Sequence, residues 1–196
     1  MKFYNCVKAV FTFLSHLFFP VRVHNSDIIP KEGKLIVCAN HLSLMDAFFI
    51  MITVDRPISF LAKDVYASNF ILKPFFKMAH AISINADIAD ISAIKQCFKV
   101  LKSGNVLGIF PEGTRIRKGV TAEGKGGTIM MAHRTGAPIV YARIRPSKGK
   151  FKFFRKTDVF FGEVITVDQL GVTDGKGDQY DNAAKSLMKL IYSLGE

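Results

Sequence analysis

The chain has 196 residues, a formal net charge of +11, 49% hydrophobic residues and a mean hydropathy of +0.21. That length suits one domain with a sizeable core, and no apolar run reaches the roughly 18 residues that a membrane-spanning helix needs. The three cysteines, Cys6, Cys38 and Cys97, are scattered, which argues against a disulfide framework or a zinc site and suits a reducing cytoplasm. We therefore expect a peripheral protein without a cleavable signal.

The first predicted element is an amphipathic helix over residues 1–20, which Pro20 ends. Its apolar residues recur at steps of three and four, as one helical face requires. They are Phe3, Val7, Val10, Phe11, Leu14, Leu17 and Phe18. Such a helix, with lysines on its other face, either lies in a membrane interface or packs on its own domain. We divide the chain into this helix and a single domain over residues 21–196.

A strong apolar strand is predicted over residues 34–39, and the sequence Asn-His-Leu-Ser-Leu-Met-Asp follows it at 40–46. Side chains just beyond the carboxyl end of a strand in an α/β sheet are well placed to bind ligands. His41 and Asp46 are five positions apart, about 140° out of line on one helix. They meet only if His41 lies in the loop and Asp46 reaches back from the first helical turn. The carboxylate then fixes the imidazole tautomer and leaves a base, although such a pair also serves purely structural roles.

The middle of the chain alternates between apolar helices and strands. We predict helices over residues 47–54, 71–80 and 90–102, and strands over 57–62 and 81–84. Lys63 directly follows the first of these strands, and Gly104 ends the last helix.

The strand predicted over residues 105–110 ends in Pro-Glu-Gly-Thr-Arg at 111–115. Gly113 permits a tight turn, Thr114 offers a hydroxyl and Arg115 offers a planar fork that suits phosphate. The same residues would also make an ordinary solvated turn in which Glu112 is structural.

A helix at about 126–135, strands over 137–144 and 156–165, and a closing amphipathic helix complete the chain. The recurring order of strand and helix predicts a layered α/β sheet flanked by helices, in one domain.

The positive charge is concentrated in one stretch. Residues 115–156 contain twelve Lys or Arg and one acid, Glu123, so their surplus of eleven equals that of the whole chain. A stretch whose charges are almost all positive attracts anionic lipid headgroups, phosphates, an acidic carrier protein or nucleic acid. Phe151, Phe153 and Phe154 alternate with basic residues here, a pattern that nucleic-acid stacking proteins also show.

Taken together, the Asn-His-x-x-x-x-Asp and Phe-Pro-Glu-Gly-Thr-Arg sequences resemble the glycerolipid acyltransferases, specifically the 1-acylglycerol-3-phosphate (lysophosphatidic acid) acyltransferase family. The order and the separation of about 70 residues are similar to the family's. The resemblance extends to residues 127–140 and 161–165, and so covers nearly the whole chain. One position departs from the family pattern: Asn85, with Asp87 nearby, stands where the family usually has an arginine.

The resemblance implies a glycerol-3-phosphate acyltransferase-like fold and transfer of a fatty acyl group from acyl-CoA or acyl carrier protein to a lysophospholipid. The first acceptor it implies is 1-acylglycerol-3-phosphate, which would give phosphatidic acid. His41 would be the general base and Asp46 its orienting carboxylate. The residues implied to hold the acceptor phosphate are Glu112, Gly113, Thr114 and Arg115, and Glu112 is expected to act by fixing Arg115 or a backbone N–H. Further acceptor or tunnel contacts are expected at Lys63, Asn85 and Pro138. Phe75, Phe76 and Met78 suit an acyl tunnel, but aromatic and Met residues at helical spacing more often form plain core.

No metal or cofactor is implied, and the expected location is the cytoplasmic face of a membrane, as a peripheral protein. The expected partners are lysophospholipid, acyl thioester and an anionic membrane surface, with an acidic acyl carrier protein as a further candidate and no nucleic acid. Because Asn85 is neutral, either basic residues such as Arg143 or Lys63 replace the missing charge, or the acceptor has another headgroup.

Two other classes of protein are consistent with parts of the sequence. A hydrolase would use Cys38 or Ser43 with His41, but no glycine-rich nucleophile elbow surrounds either residue. A non-enzymatic binder would use the basic stretch to hold anionic membrane or nucleic acid.

Overall fold

The computed structural model describes residues 12–13, 18–63, 80–84, 90–116, 123–149 and 151–196. Residues 12, 13 and 18 are helical; the rest of the predicted N-terminal helix up to residue 17, the predicted helix at 71–80 apart from His80, and Asn85 lie outside the described residues. Among the described helices, none is long and apolar enough to cross a membrane.

The described strands form one seven-stranded sheet in the order β1-β7-β6-β2-β5-β3-β4. The strands are β1 (Val21–His24), β2 (Leu35–Ala39), β3 (Ile58–Lys63), β4 (Ile82–Ile84), β5 (Val106–Ile109), β6 (Ile139–Pro146) and β7 (Thr157–Ile165). β6, β2, β5, β3 and β4 are parallel, and β7 runs antiparallel to β6. The prediction of a layered α/β sheet is therefore confirmed.

Apart from the helical residues 12, 13 and 18, four α-helices are described: α1 (Met45–Thr53), α2 (Ile91–Lys102), α3 (Gly127–Thr135) and α4 (Gln179–Ser193). Local chemistry sets their ends. The Asp90 carboxylate accepts a hydrogen bond from Ala93 N at 3.0 Å and caps α2, and Gly136 ends α3 in the left-handed conformation. α1 begins at Met45, so Asp46 lies in its first turn as predicted, and Ser43 Oγ accepts a hydrogen bond from Met45 N at 3.2 Å.

Helices cover both faces of the sheet, which explains why every residue of β2 is buried. Ile36 and Cys38 point into a core formed with α2, α3 and α4. The alternate residues Leu35, Val37 and Ala39 point into a second core that contains α1. The loop after β2 therefore emerges between two packed layers, at the edge where β5 and β6 also end.

A close contact between Gly108 and the ring of Phe60 positions aromatic rings beneath the edge of the sheet at which β2, β5 and β6 end. Gly108 lies in β5, and a Cβ atom placed there would be 2.3 Å from the ring of Phe60 in β3. The Phe60 ring in turn stacks on Phe110, with ring centroids 5.9 Å apart. Only glycine at position 108 leaves room for this arrangement.

We expect Gly108→Ala to destabilise the protein by about 1–3 kcal/mol, because the new methyl group overpacks Phe60. Gly127→Ala is the matched control, since no atom lies within 4 Å of a Cβ there and the position is helical. Chemical denaturation of both variants measures the difference. Equal stability of the two variants would contradict this account of Gly108.

Candidate active site

The loop after β2 is anchored by hydrogen bonds on both sides. Asn40 Nδ2 donates to Ile144 O at 3.0 Å, and Asn40 Oδ1 accepts from Ile144 N at 2.7 Å, which ties the loop to β6. On the other side, His41 N donates to Glu112 Oε1 at 3.1 Å, and the His41 ring stacks on Phe110 with centroids 4.2 Å apart. The two sequence motifs, about 70 residues apart, therefore meet in direct contact.

His41 and Asp46 form the predicted pair. His41 Nδ1 lies 2.9 Å from Asp46 Oδ2, and the same oxygen accepts hydrogen bonds from Leu42 N at 2.5 Å and Ser43 N at 2.6 Å. His41 lies in the loop, and Asp46 reaches back from the first turn of α1, as the five-residue spacing required. Because Nδ1 faces the carboxylate, Nε2 is the ring atom available for proton transfer.

The site contains two buried carboxyl groups with different surroundings. Burial raises the pKa of Asp46 above its ordinary value, and the hydrogen bonds from His41 and the backbone offset only part of that rise. Three donors converge on Oδ2 of Asp46, whereas its Oδ1 has no hydrogen-bond partner among the described residues. Burial raises the pKa of Glu112 to about 7, and its Oε2 has no hydrogen-bond partner among the described residues. A carboxyl group with a pKa of about 7 exchanges its proton near neutral pH.

The turn at residues 110–115 has an inner and an outer side. Gly113 N donates to Phe110 O at 3.0 Å, and Gly113 has a φ of +67°, which favours glycine. Gly113, Thr114 and Arg115 are exposed. Glu112 is only 3% exposed and bonds to the backbone of His41. Its predicted place among the phosphate contacts is therefore corrected: its carboxylate lies under the turn and fixes a backbone N–H, the structural role also expected for it.

Lys125 lies against this turn, although the sequence did not single it out. Its Cε and Nζ would both be 3.1 Å from a Cβ placed on Gly113, and its N donates to Pro111 O at 2.9 Å. The sequence between Arg115 and Lys125 has no hydrophobic periodicity, so it did not predict that Lys125 lies against the turn at residues 110–115. The single available signal was the position of Lys125 within the basic stretch.

Three other predicted contacts have different outcomes. Pro138 does not reach the site: Pro138 O accepts from Ile36 N at 3.0 Å at the amino end of β2, whereas His41 follows its carboxyl end. Lys63 ends β3 at the carboxyl edge of the sheet, where only its backbone is described. Asn85 lies outside the described residues.

Arg143 is not available to replace a missing phosphate contact. Its Nη1 donates to Leu194 O at 2.8 Å and also to Tyr192 O, and its guanidinium lies 5.6 Å from the centre of the Tyr192 ring. The side chain thus binds the carbonyl groups at the end of α4, where a cation is stabilising.

The structure argues against a covalent nucleophile beside His41. Cys38 lies within β2 and is fully buried, and burial raises the pKa of its thiol, which opposes formation of a thiolate. Ser43 Oγ is used as an acceptor by the first turn of α1. Within the described ranges, no group of three or more His, Cys, Asp or Glu residues is placed to hold a metal ion.

Comparison with known proteins adds independent findings. A family model described as Acyltransferase matches residues 20–145. The chain is 30% identical over 148 residues to a 1-acyl-sn-glycerol-3-phosphate acyltransferase of Bacillus subtilis, covering 74% of this chain and 73% of that protein. It is 33% identical over 144 residues to the enzyme of that name from Borreliella burgdorferi, covering 70% of this chain and 55% of that protein.

The fold is similar to a solved structure. The crystal structure of the 1-acyl-sn-glycerophosphate acyltransferase PlsC from Thermotoga maritima matches with a TM-score of 0.71 and 24% identity. The match covers 99% of this chain and 79% of that one.

Glu112 is expected to make stability depend on pH. Its pKa is about 7 in the folded protein and about 4.5 as an ordinary carboxyl, so its contribution is fully present below pH 4.5 and is lost as the pH rises through 7. We expect Glu112→Gln, which cannot ionise, to gain stability relative to wild type by up to roughly 3 kcal/mol over that interval. Urea unfolding of both proteins from pH 4.5 to 8 measures this, and a pH-independent difference would contradict the buried-carboxyl account.

Proposed function

The chain belongs to the acyltransferase family, among the 1-acylglycerol-3-phosphate acyltransferases, and from that premise we propose that it acylates the free hydroxyl of 1-acylglycerol-3-phosphate to give phosphatidic acid. The acyl donor is a thioester, either acyl-CoA or acyl carrier protein. The observation that carries the proposal is the contact between the two motifs: Glu112 and Phe110 hold His41 directly beside the exposed turn at 113–115.

His41 is proposed to act as the general base. Its Nε2 takes the proton of the acceptor hydroxyl while the oxygen attacks the thioester carbon. The tetrahedral intermediate then collapses, the C–S bond breaks, and the leaving thiolate takes the proton from the imidazolium. Because the thioester is already activated, no covalent enzyme intermediate is needed. Asp46 holds Nδ1–H in place and stabilises the imidazolium, and its position 2.9 Å away supports this role.

The acceptor phosphate is proposed to bind at the outer side of the turn. Thr114 offers a hydroxyl, Arg115 a guanidinium and Gly113 a backbone that can be approached closely. The ammonium group of Lys125 lies over Gly113, which supports it as an additional cation at this site. Glu112 acts below the turn by holding the His41 backbone in position.

A different lysolipid acceptor is the second candidate, because Asn85 is neutral where the family usually has an arginine. The structure ties Arg143 to the end of α4. Lys125, which lies beside the turn, and Lys63 are the cations proposed to replace that charge. In either case we propose a peripheral enzyme on the cytoplasmic face of a membrane, where lysolipid and thioester meet. Product identification from a panel of lysolipids separates the two candidates, since the first predicts acylation of lysophosphatidic acid.

We expect His41→Ala to lower acyl transfer by at least about 100-fold, because the variant has no base for the hydroxyl. Release of thiol from acyl-CoA and acyl carrier protein, with and without lysophosphatidic acid, measures the rate and distinguishes transfer from hydrolysis. Asp46→Asn should also be severely impaired, because an amide favours the wrong tautomer. A folded His41→Ala protein with near-normal turnover would refute the mechanism, and thiol release that needs no acceptor would indicate a hydrolase.

We expect Lys125→Ala to raise KM for lysophosphatidic acid by roughly tenfold with little change in kcat, because a charge-assisted contact present in both ground and transition states is lost. Lys125→Arg should retain most of the affinity. Lys95→Ala, an exposed lysine on α2, is the control. An unchanged KM in Lys125→Ala would remove this residue from the proposed site.

A further inference from the structure

A patch of phenylalanine side chains is exposed on the segment that joins β6 to β7. Phe153 and Phe154 are 66% and 69% exposed. The Phe153 ring lies 6.2 Å from that of Phe18 and 4.9 Å from that of Phe19, and the Phe154 ring lies 6.0 Å from Phe18. We call these four residues the aromatic patch. Its rings form one continuous apolar surface, which a soluble protein seldom exposes without a binding partner.

The aromatic patch is held in place by defined contacts. Phe154 N donates to Phe18 O at 2.6 Å, and Phe154 has a φ of +61°, a conformation that bulky residues rarely adopt. Beneath the patch, Phe151 stacks on Phe49 of α1 with ring centroids 5.3 Å apart, and Phe19 also contacts Phe49. The outward position of Phe153 and Phe154 is thus built on the same helix that carries Asp46.

The sheet topology places the aromatic patch on the side of the molecule that carries His41. Because β6 and β7 are antiparallel and Pro146 pairs with Thr157, their connection leaves the sheet at the carboxyl end of β6. β2 is parallel to β6, and Ala39 pairs with Ala142, so His41 emerges at the same edge. A flat partner that covers the patch would therefore also face the entrance to the candidate active site.

The charge around the aromatic patch selects an anionic partner. Lys152 and Lys156, which flank Phe153 and Phe154 in the sequence, are exposed, and the chain has no acidic residue between Glu123 and Asp158. Within the patch, the four ring pairs meet at interplanar angles of 34°, 47°, 52° and 86°, and none is parallel. The rings therefore form an apolar wedge, which suits the acyl boundary of a bilayer better than it suits stacked bases.

We propose that the aromatic patch, with Lys152 and Lys156, is a docking surface for an anionic lipid bilayer. Phe153 and Phe154 insert at the boundary between headgroups and acyl chains, and the lysines bind the anionic headgroups. The proposal rests on the proposed function in one respect, the lipid nature of the acceptor. It specifies how that acceptor reaches His41: the enzyme binds with the carboxyl edge of its sheet towards the membrane.

The test uses the full chain and vesicles of equal parts phosphatidylcholine and phosphatidylglycerol. In the double variant Phe153→Ser/Phe154→Asn, asparagine is chosen because it tolerates the left-handed conformation. We expect co-sedimentation of this variant to be at least about tenfold weaker than that of wild type. Its transfer to detergent-dispersed lysophosphatidic acid should be unchanged, and transfer to the vesicle-embedded lipid should fall. Ile28→Ser, which replaces an exposed apolar residue beyond the far end of β1, is the control and should bind normally.

A second pair of variants tests the charge. Lys152→Glu/Lys156→Glu and Lys95→Glu/Lys185→Glu change the net charge equally, and all four lysines are exposed. We expect the first variant to bind the anionic vesicles at least about tenfold more weakly than the second. The difference should disappear on vesicles of phosphatidylcholine alone and shrink at high salt.

Vesicle binding tests the docking surface, and acyl transfer in detergent tests the proposed function. Normal vesicle binding by Phe153→Ser/Phe154→Asn would overturn the docking surface, whatever the rate of transfer. Weakened binding by this variant, together with a wild type that does not acylate lysophosphatidic acid in detergent, would support the docking surface and reject the proposed function. If the variant keeps vesicle binding and loses binding to a single-stranded oligonucleotide, the patch is a nucleic-acid site and the proposal fails.

Discussion

The buried carboxylate of Asp46 is the constraint on which the candidate site depends. One of its oxygens is bonded to the His41 ring and to the backbone N–H groups of Leu42 and Ser43. A buried charge without such partners would be strongly unfavourable, so the loop must fold around it. The same contacts that compensate the charge also fix the imidazole tautomer and begin α1. Stability and the geometry of the proposed base therefore have a common origin.

The sheet brings the Phe-Pro-Glu-Gly-Thr-Arg sequence at 110–115 into contact with the loop that contains His41. β2 and β5 are neighbouring parallel strands, so the residues that follow them are brought together at one edge. Phe110 supports the His41 ring from below, and Glu112 binds its backbone. Gly108 allows Phe60 to lie under Phe110. A glycine inside a strand, without a functional group of its own, thus helps to position the imidazole.

The distribution of charge and apolar surface suits an enzyme that works where lipid meets water. The turn at 113–115 and Lys125 are polar and exposed beside His41, whereas Phe153 and Phe154 are apolar and exposed at the same edge of the sheet. A lysophospholipid has the same division between a charged headgroup and an acyl chain. The proposed function and the proposed docking surface therefore require the same orientation of the molecule.

The sequence by itself determined the features that depend on nearby residues. Among the described residues, hydrophobic periodicity predicted the strands and helices to within a few residues, and the five-residue spacing predicted that Asp46 reaches back to His41. The rule that ligands bind beyond the carboxyl ends of strands also argues against Pro138, which lies near the amino end of the predicted strand at 137–144. Only the tertiary structure decided that Glu112 points inward to His41, that Lys125 covers Gly113 and that Arg143 binds the end of α4. These contacts join distant segments, so the order and direction of the strands determine them, and no local pattern encodes that order.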